Sequence, residues 1–275
     1  MFRSAIATLL LLAAGGNAWA QLPVNFTFSM EFTEALEWAP VPAVVTLENR
    51  GSETALAGVD YQVGFDISDE RGDLIRLRKE SELYVPAKIE AGATVSFTND
   101  LHYLYRIDRQ GQFSVVAKLQ TKGRVLASTK IFLDVVPGSE LASAEISLPD
   151  GTGRRYALRQ MSRNRKSYLF LRVDDPARGL NYGVYELGRF VPLKTPELRV
   201  DQHGLAHVLH LAAPNQFLHS VFSPTGDLVA QKNHSGDSNV VRLRSDEEAG
   251  FQVIGTGVSE PRDPFVESLP GRNRL

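Results

Sequence analysis

The chain has 275 residues, of which 30 are basic, 32 are acidic and none is cysteine. This length is enough for two domains of ordinary size, and the absence of cysteine excludes disulfides, a thiol nucleophile and a lipid anchor on a cleavage-site cysteine. The formal net charge of −2 points to no class of partner by itself, so the distribution of charge along the chain is more informative than its sum.

The first twenty residues have the pattern of a secretory signal peptide. Arg3 supplies a short basic segment, residues 5–14 are apolar, and Ala18 and Ala20 are the small residues that precede a cleavage site at Gln21. The apolar run is too short for a membrane span. A secreted chain without disulfides is typical of a bacterial periplasm. We therefore expect a periplasmic or secreted protein, with no membrane span and no nucleic acid as a partner.

Alternating apolar residues predict strands through the first half of the mature chain. Residues 24–32, 61–67 and 93–99 alternate in this way, and residues 113–119 are expected to pair with residues 125–135 across a glycine turn. Pro40 and Pro42 predict an edge position for the extended segment that contains them. About seven strands separated by short turns are typical of a β-sandwich.

Three segments of this half, residues 45–51, 91–96 and 101–115, resemble the immunoglobulin- or fibronectin-like sandwiches of secreted bacterial proteins. The resemblance covers residues 24–137 and implies a sandwich fold, but it implies no function. The chain departs from the pattern at Phe113, which stands where such domains often place a hydrogen-bonding tyrosine. In the neighbouring aromatic segment, we expect Leu104 or Tyr105 to pack between the sheets and His102 to face water. The alternative is that residues 102–105 form a binding patch.

The second half begins after Pro137 and Gly138. Strands are predicted at residues 144–148, 155–161, 168–173 and 182–187, followed by two hairpins with turns at Gly204 and Gly226. The spacing of these hairpins is similar to fragments of a β-propeller, although a small meander, an open barrel or a second sandwich fits equally.

We therefore predict an all-β protein in four parts. They are a signal peptide over residues 1–20, an immunoglobulin-like β-sandwich over 21–137, an antiparallel β-meander domain (propeller-like or a second sandwich) over 138–258, and a disordered tail over 259–275.

Charge differs sharply between the two halves. Residues 21–137 carry 12 basic and 16 acidic side chains (−4), whereas residues 150–200 carry 11 basic and 5 acidic ones (+6). Arginine binds carboxylates and phosphates in a bidentate manner and stacks on aromatic rings. The sequence therefore predicts a contact surface for an anionic ligand or partner, formed by Arg155, Arg159, Arg163, Arg165 and Tyr168. The alternative is a solvated face, or docking onto the chain's own acidic first domain.

Five of the six histidines lie in the second half. Strand alternation places His207 and His210 on opposite faces, whereas a hairpin at residues 212–215 would bring His207 diagonally close to His219. With Asp201 or His203 nearby, His207 and His219 are candidate metal ligands. However, the sequence has no helical His-Glu-x-x-His spacing or other specific metal signature, so we predict no metal and no cofactor.

Catalytic signatures do not occur in the sequence. It has no Gly-x-Ser-x-Gly elbow, no phosphate-binding glycine loop and no carboxylate pair spaced to face across a cleft. We predict a non-enzymatic binding or interaction protein of the cell envelope, which recognises an envelope protein or an anionic glycan through the basic strand. The alternatives are a carbohydrate-active or other hydrolase with its site at Asp201, His207 and His219, and a purely structural envelope component.

Overall fold

The computed structural model describes residues 24–78, 81–246 and 250–256, so the predicted signal peptide and the predicted tail lie outside the described residues. Within the described residues the chain forms twenty strands and one four-residue helix, α1 (Leu101–Leu104). The predicted all-β class is therefore confirmed.

The first half contains ten strands. Their bounds are β1 (Val24–Met30), β2 (Glu34–Leu36), β3 (Pro42–Asn49), β4 (Ala55–Leu56), β5 (Tyr61–Asp69), β6 (Lys88–Ile89), β7 (Thr94–Asp100), β8 (Gly111–Thr121), β9 (Arg124–Ala127) and β10 (Ile131–Val136).

Eight of these strands form a two-sheet sandwich, and β4 and β6 pair as a separate two-stranded sheet. We call this half the N-terminal sandwich (residues 24–136). One sheet has the order β1-β3-β7; the other has the order β2-β10-β8-β5, with β9 paired to β8. Alternate residues of each strand point between the sheets, where Leu47, Ile67 and Phe113 are almost completely buried. The predicted β-sandwich is therefore present.

Three local predictions in this half are wrong. Strand β3 lies in the middle of its sheet rather than at the edge, because Pro42 is its first residue and Pro40 lies before it. The single strand expected over residues 125–135 is two strands, β9 and β10, which pair with different ends of β8. His102 does not face water: its Nδ1 lies 3.1 Å from the carbonyl oxygen of Ile107 and its ring packs edge-on against Trp38.

The second half contains the other ten strands. Their bounds are β11 (Ser139–Ser147), β12 (Gly153–Arg163), β13 (Lys166–Asp175), β14 (Leu180–Arg189), β15 (Glu197–Val200), β16 (Ala206–Ala213), β17 (Gln216–Phe222), β18 (Leu228–Ser235), β19 (Arg242–Asp246) and β20 (Gly250–Ile254).

They form two four-stranded antiparallel meanders, β11-β12-β13-β14 and β15-β16-β17-β18, and the hairpin β19-β20. The two meanders pack face to face around Tyr156, Leu171, Val208 and Phe222. The hairpin covers the other face of the second meander, where Leu211, Phe217 and Leu243 are among the buried residues. We call these three layers (residues 139–254) the blade stack.

The first strands of the three layers are neighbours: β11 contacts β15, and β15 contacts β19. Adjacent first strands and stacked four-stranded meanders are the arrangement of successive propeller blades. The described residues therefore form stacked antiparallel layers, and the propeller-like and second-sandwich alternatives both stay predictions.

The N-terminal sandwich docks on the outer face of the first meander. Leu36 and Ala39 pack against Met161, Phe170 and Val184, all of which are buried. Arg172 adds a 3.8 Å ion pair with Glu37, across the same contact. The predicted contact between the chain's own two halves is therefore present.

Candidate functional site

The basic strand predicted from the sequence lies on β12 and its turn into β13. On the outer face of this meander, Arg155 is 2.7 Å from Glu140 and 3.4 Å from Glu145. Arg159 donates to the carbonyl of Pro137 at 2.8 Å and lies 3.4 Å from Glu140. Burial would raise the pKa of Glu140, yet these two guanidinium groups hold it below its ordinary value. Both arginines therefore have carboxylate partners within the chain.

Arg163 is buried at the contact between the two halves. Its guanidinium group lies 4.1 Å from the ring centre of Phe32 and 4.3 Å from that of Tyr168, and Nη2 is 3.1 Å from Glu186. Burial raises the pKa of Glu186, an effect that Arg163 opposes. Arg163 and Tyr168 thus hold the N-terminal sandwich against the blade stack.

Arg165 is at the tip of the β12–β13 hairpin and is exposed, as is the following Lys166. Its φ of +60° follows the +52° of Asn164, the pair of positive values that a two-residue type I′ turn requires. Of the five predicted contact residues, only Arg165 is fully presented to solvent. The structure does not bring the five together on one exposed surface.

The predicted hairpin brings three histidines onto one face of the second meander, His207, His219 and His234, which we call the histidine row. His207 Nδ1 lies 3.3 Å from His219 Nε2, and His207 Nε2 lies 3.3 Å from Asp201 Oδ2. The rings of His219 and His234 are 6.1 Å apart, and Phe251 of the hairpin covers His207 edge-on. The expected proximity of His207 and His219 is confirmed.

Burial is the main cause of the lowered pKa values of two histidines in this row. It lowers the pKa of His219 to about 4, with further lowering by His207, His234 and Lys232. Burial and Lys232 also lower the pKa of His234. Both rings are therefore neutral at pH 7.

The row does not complete a catalytic triad. Asp201 is hydrogen-bonded to His207 in the way that a carboxylate orients a general base. The next group along the row, however, is the ring of His219 rather than a hydroxyl. Among the described residues no group of three or more histidine, aspartate or glutamate side chains is arranged to hold a metal ion as it stands.

A third surface was not predicted from the sequence. The long connection between β5 and β6, described over residues 70–78 and 81–87, lies along one flank of the N-terminal sandwich, where Leu77 pairs with Tyr105 and the backbone of Tyr84 makes two hydrogen bonds with the Asn99 side chain. On this flank Leu74, Leu77, Tyr84 and Tyr103 are 67%, 48%, 63% and 64% exposed. We call these four residues the loop face.

Two exposed arginines, Arg76 and Arg106, lie close in sequence to Leu77 and Tyr103 of the loop face. Neither forms an ion pair with any residue of the described ranges. The sequence did contain a signal for this surface, because loops longer than about 12–15 residues are uncommon unless they are functional.

Among the described residues, no helix has the length and apolar character needed to cross a bilayer.

The chain matches no protein-family model and no curated protein. Similar solved structures include the sporulation control protein Spo0M from Bacillus subtilis, with a TM-score of 0.28, 11% identity, and coverage of 58% of this chain and 82% of that one. The periplasmic chaperone SfaE has a TM-score of 0.24 and 11% identity, and 74% of this chain is aligned with 97% of that one. TM-scores this low do not establish a shared fold.

Proposed function

We propose that the protein is a non-enzymatic interaction protein of the bacterial cell envelope and that the loop face is its main contact surface. The observation that carries this proposal is the exposure of four large apolar side chains on the β5–β6 connection and the neighbouring helix α1, which we infer to form one patch. Isolated exposed apolar residues are ordinary, whereas a patch of them marks a site of interaction.

The chemistry of the loop face favours an acidic protein as the partner. Leucine and tyrosine side chains provide apolar contact area, and aromatic residues and arginine are enriched where proteins bind each other. Arg76 and Arg106 add two cations without intramolecular ion-pair partners among the described residues. A partner segment that combines apolar side chains with carboxylates would satisfy both parts of this surface.

The tip of the basic strand is a second candidate contact in the same function. Arg165 and Lys166 are exposed and adjacent, so they remain available to an anionic glycan or an acidic partner. Arg155, Arg159 and Arg163 would have to give up their ion pairs with Glu140 and Glu186 to take part.

The alternative function, a hydrolase in the blade stack, is favoured by one observation, the Asp201–His207 hydrogen bond. A hydrolase of this kind needs a nucleophile or an activated water beside that histidine. Turnover of envelope glycans or peptides by the purified chain, abolished by Asp201→Asn, would establish it.

The test of the interaction function is photo-crosslinking in the periplasm. A photoreactive amino acid is placed at Tyr103, and the crosslinked protein is identified in otherwise unaltered cells and in cells that carry Leu77→Asp or Arg76→Glu. We expect one crosslinked partner, with a yield reduced at least tenfold by either substitution. The matched control is Val125→Asp, which changes an exposed valine of β9 away from the loop face and should leave the yield unchanged.

The outcomes separate the two candidate surfaces. If the crosslink is lost in Arg165→Glu but kept in Leu77→Asp, the partner binds at the tip of the β12–β13 hairpin rather than at the loop face. If no partner is crosslinked from either Tyr103 or Arg165, the interaction function is wrong.

A further inference from the structure

We propose that the histidine row is a binding site for one divalent transition-metal ion such as Zn²⁺, with His207 Nδ1, His219 Nε2 and His234 as its ligands and Asp201 as the group that orients His207. This inference is independent of the loop face. It rests on the geometry of four side chains that β16, β17, β18 and the β15–β16 turn bring together.

One ring nitrogen of His207 and one of His219 lie at the separation of two ligands of the same zinc ion. His207 Nδ1 and His219 Nε2 are 3.3 Å apart. Two imidazole nitrogens bound to one tetrahedral zinc ion, each at 2.0–2.1 Å, lie about 3.3 Å from each other. The strands therefore already hold two ligands at the spacing that coordination requires, on the diagonal between two neighbouring strands.

The second ring nitrogen of His207, Nε2, faces the carboxylate of Asp201. Nε2 lies 3.3 Å from Asp201 Oδ2, and both side chains are about 4% exposed. A histidine that binds a metal ion commonly donates its second N–H to a carboxylate, which selects the tautomer and orients the ring. Asp201 assigns the proton to Nε2 and leaves the Nδ1 lone pair directed toward His219.

The ring of His234 has an unsatisfied nitrogen. Its Nε2 is buried and has no hydrogen-bond partner among the described residues, an arrangement that costs free energy unless another group satisfies the nitrogen. Its ring is 6.1 Å from that of His219. No three donors of the described residues converge on one point as the side chains stand, so binding requires a rotation of the His234 ring toward the nitrogen pair.

The surroundings favour a nitrogen-binding metal over a hard cation. All three proposed ligands are imidazole rings, and imidazole suits zinc, copper and nickel rather than calcium or magnesium. A positive charge that opposes binding is Lys232, which faces His219 across the β17–β18 ladder and has an exposed side chain.

The experiment is isothermal titration of the full-length mature protein, without a polyhistidine tag, with ZnCl₂ alone. We expect one ion per chain. His234→Ala and His219→Ala should each weaken binding at least tenfold, and Asp201→Asn should weaken it about 10- to 100-fold while keeping the oxygen that accepts hydrogen bonds in the turn. Lys232→Gln should strengthen binding, because it removes the opposing charge.

The control is His203→Ala, since His203 is exposed and outside the row; it should bind zinc as the unaltered protein does. Circular dichroism checks that each variant remains folded. The proposal would be overturned if the unaltered protein did not bind zinc. It would also be overturned if the folded His219→Ala and His234→Ala variants bound zinc as tightly as the unaltered protein does.

Discussion

At the scale of single residues, burial decides what each charged or titratable side chain can do. The arginines of the basic strand have the same chemistry in sequence, yet Arg163 is buried between two aromatic rings while Arg165, two positions later, is exposed. The alternation of β12 predicts that Arg155, Arg159 and Arg163 share a face. It does not reveal that Glu140, Glu186 and Phe32 occupy the space in front of that face, because those residues are distant in sequence.

His210 provides a prediction at this scale. It lies on the face opposite the histidine row and is 1% exposed, and within the described ranges neither of its ring nitrogens has a hydrogen-bond partner of normal geometry. Burial lowers its pKa from 6.5 to about 4. In the unfolded chain this ring is protonated below about pH 6.5, whereas in the folded chain it is protonated only below about pH 4. The free energy of unfolding therefore decreases as the pH falls from 6.5 to 4, by up to about 3 kcal/mol from this residue.

We expect His210→Leu to make the free energy of unfolding less dependent on pH between 6.5 and 4, and to stabilise the protein at pH 5 more than at pH 8. Urea denaturation at a series of pH values measures this. His203→Leu, which changes an exposed histidine, is the matched control and should keep the slope of the unaltered protein. An unchanged slope in His210→Leu would show that this ring does not carry the pH dependence.

At the scale of the elements, turns and junctions decide which strands pair. The Gly123 turn has the predicted positive φ, +79°, but residues 128–130 interrupt the strand that follows and divide it into β9 and β10. The junction between the two halves is only Pro137 and Gly138, between the end of β10 and the start of β11. This short junction places Gly138 tightly against both halves.

Substitution of Gly138 tests that junction. Its φ is +66°, and an added Cβ would lie 2.5 Å from Cδ1 of Leu36 and 2.8 Å from the carbonyl oxygen of Gln160. We expect Gly138→Ala to cost about 2 kcal/mol or more, from backbone strain and overpacking together.

The control for this prediction is Gly151→Ala, at a φ of +79° with nothing within 4 Å of the added atom. It should cost about 1 kcal/mol from backbone strain alone. Chemical denaturation of both variants measures the difference. Equal losses would show that the close approach of Leu36 and Gln160 contributes nothing.

At the scale of the whole molecule, the central feature is that the N-terminal sandwich and the blade stack share buried apolar contacts. Leu36 is 1% exposed and packs with Met161 and Phe170 of the first meander. The outer face of that meander would otherwise present these apolar residues to water, so each half covers a surface of the other.

We therefore expect the two halves to unfold in one calorimetric transition, and Leu36→Ala to separate this into two transitions with a loss of about 3 kcal/mol at the contact. The matched control is Leu47→Ala in the core of the N-terminal sandwich. This substitution should destabilise that half but leave a single transition, because the contact between the two halves is unchanged. A single, merely shifted transition in Leu36→Ala would contradict the coupling.

The predicted domain boundary at residues 137–138 remains a prediction, since spatial separation of two cores does not establish that each folds alone. Expression of residues 139–275 as a separate protein tests it. A cooperative unfolding transition in that fragment would support the boundary, and an unfolded fragment would show that the N-terminal sandwich is needed to cover Phe170 and Val184.

The all-β class, most strand positions and the proximity of His207 to His219 can be predicted from the amino-acid sequence, because they depend on local alternation and on turn residues that are adjacent in the chain. Which polar faces are covered depends on the fold: it pairs Arg155 and Arg159 with Glu140, buries Arg163 at the contact of the two halves, and exposes the apolar side chains of the loop face. Alternation states which side chains share a face, but the occupant of the space opposite that face comes from residues far away in sequence, so composition and spacing do not encode it locally.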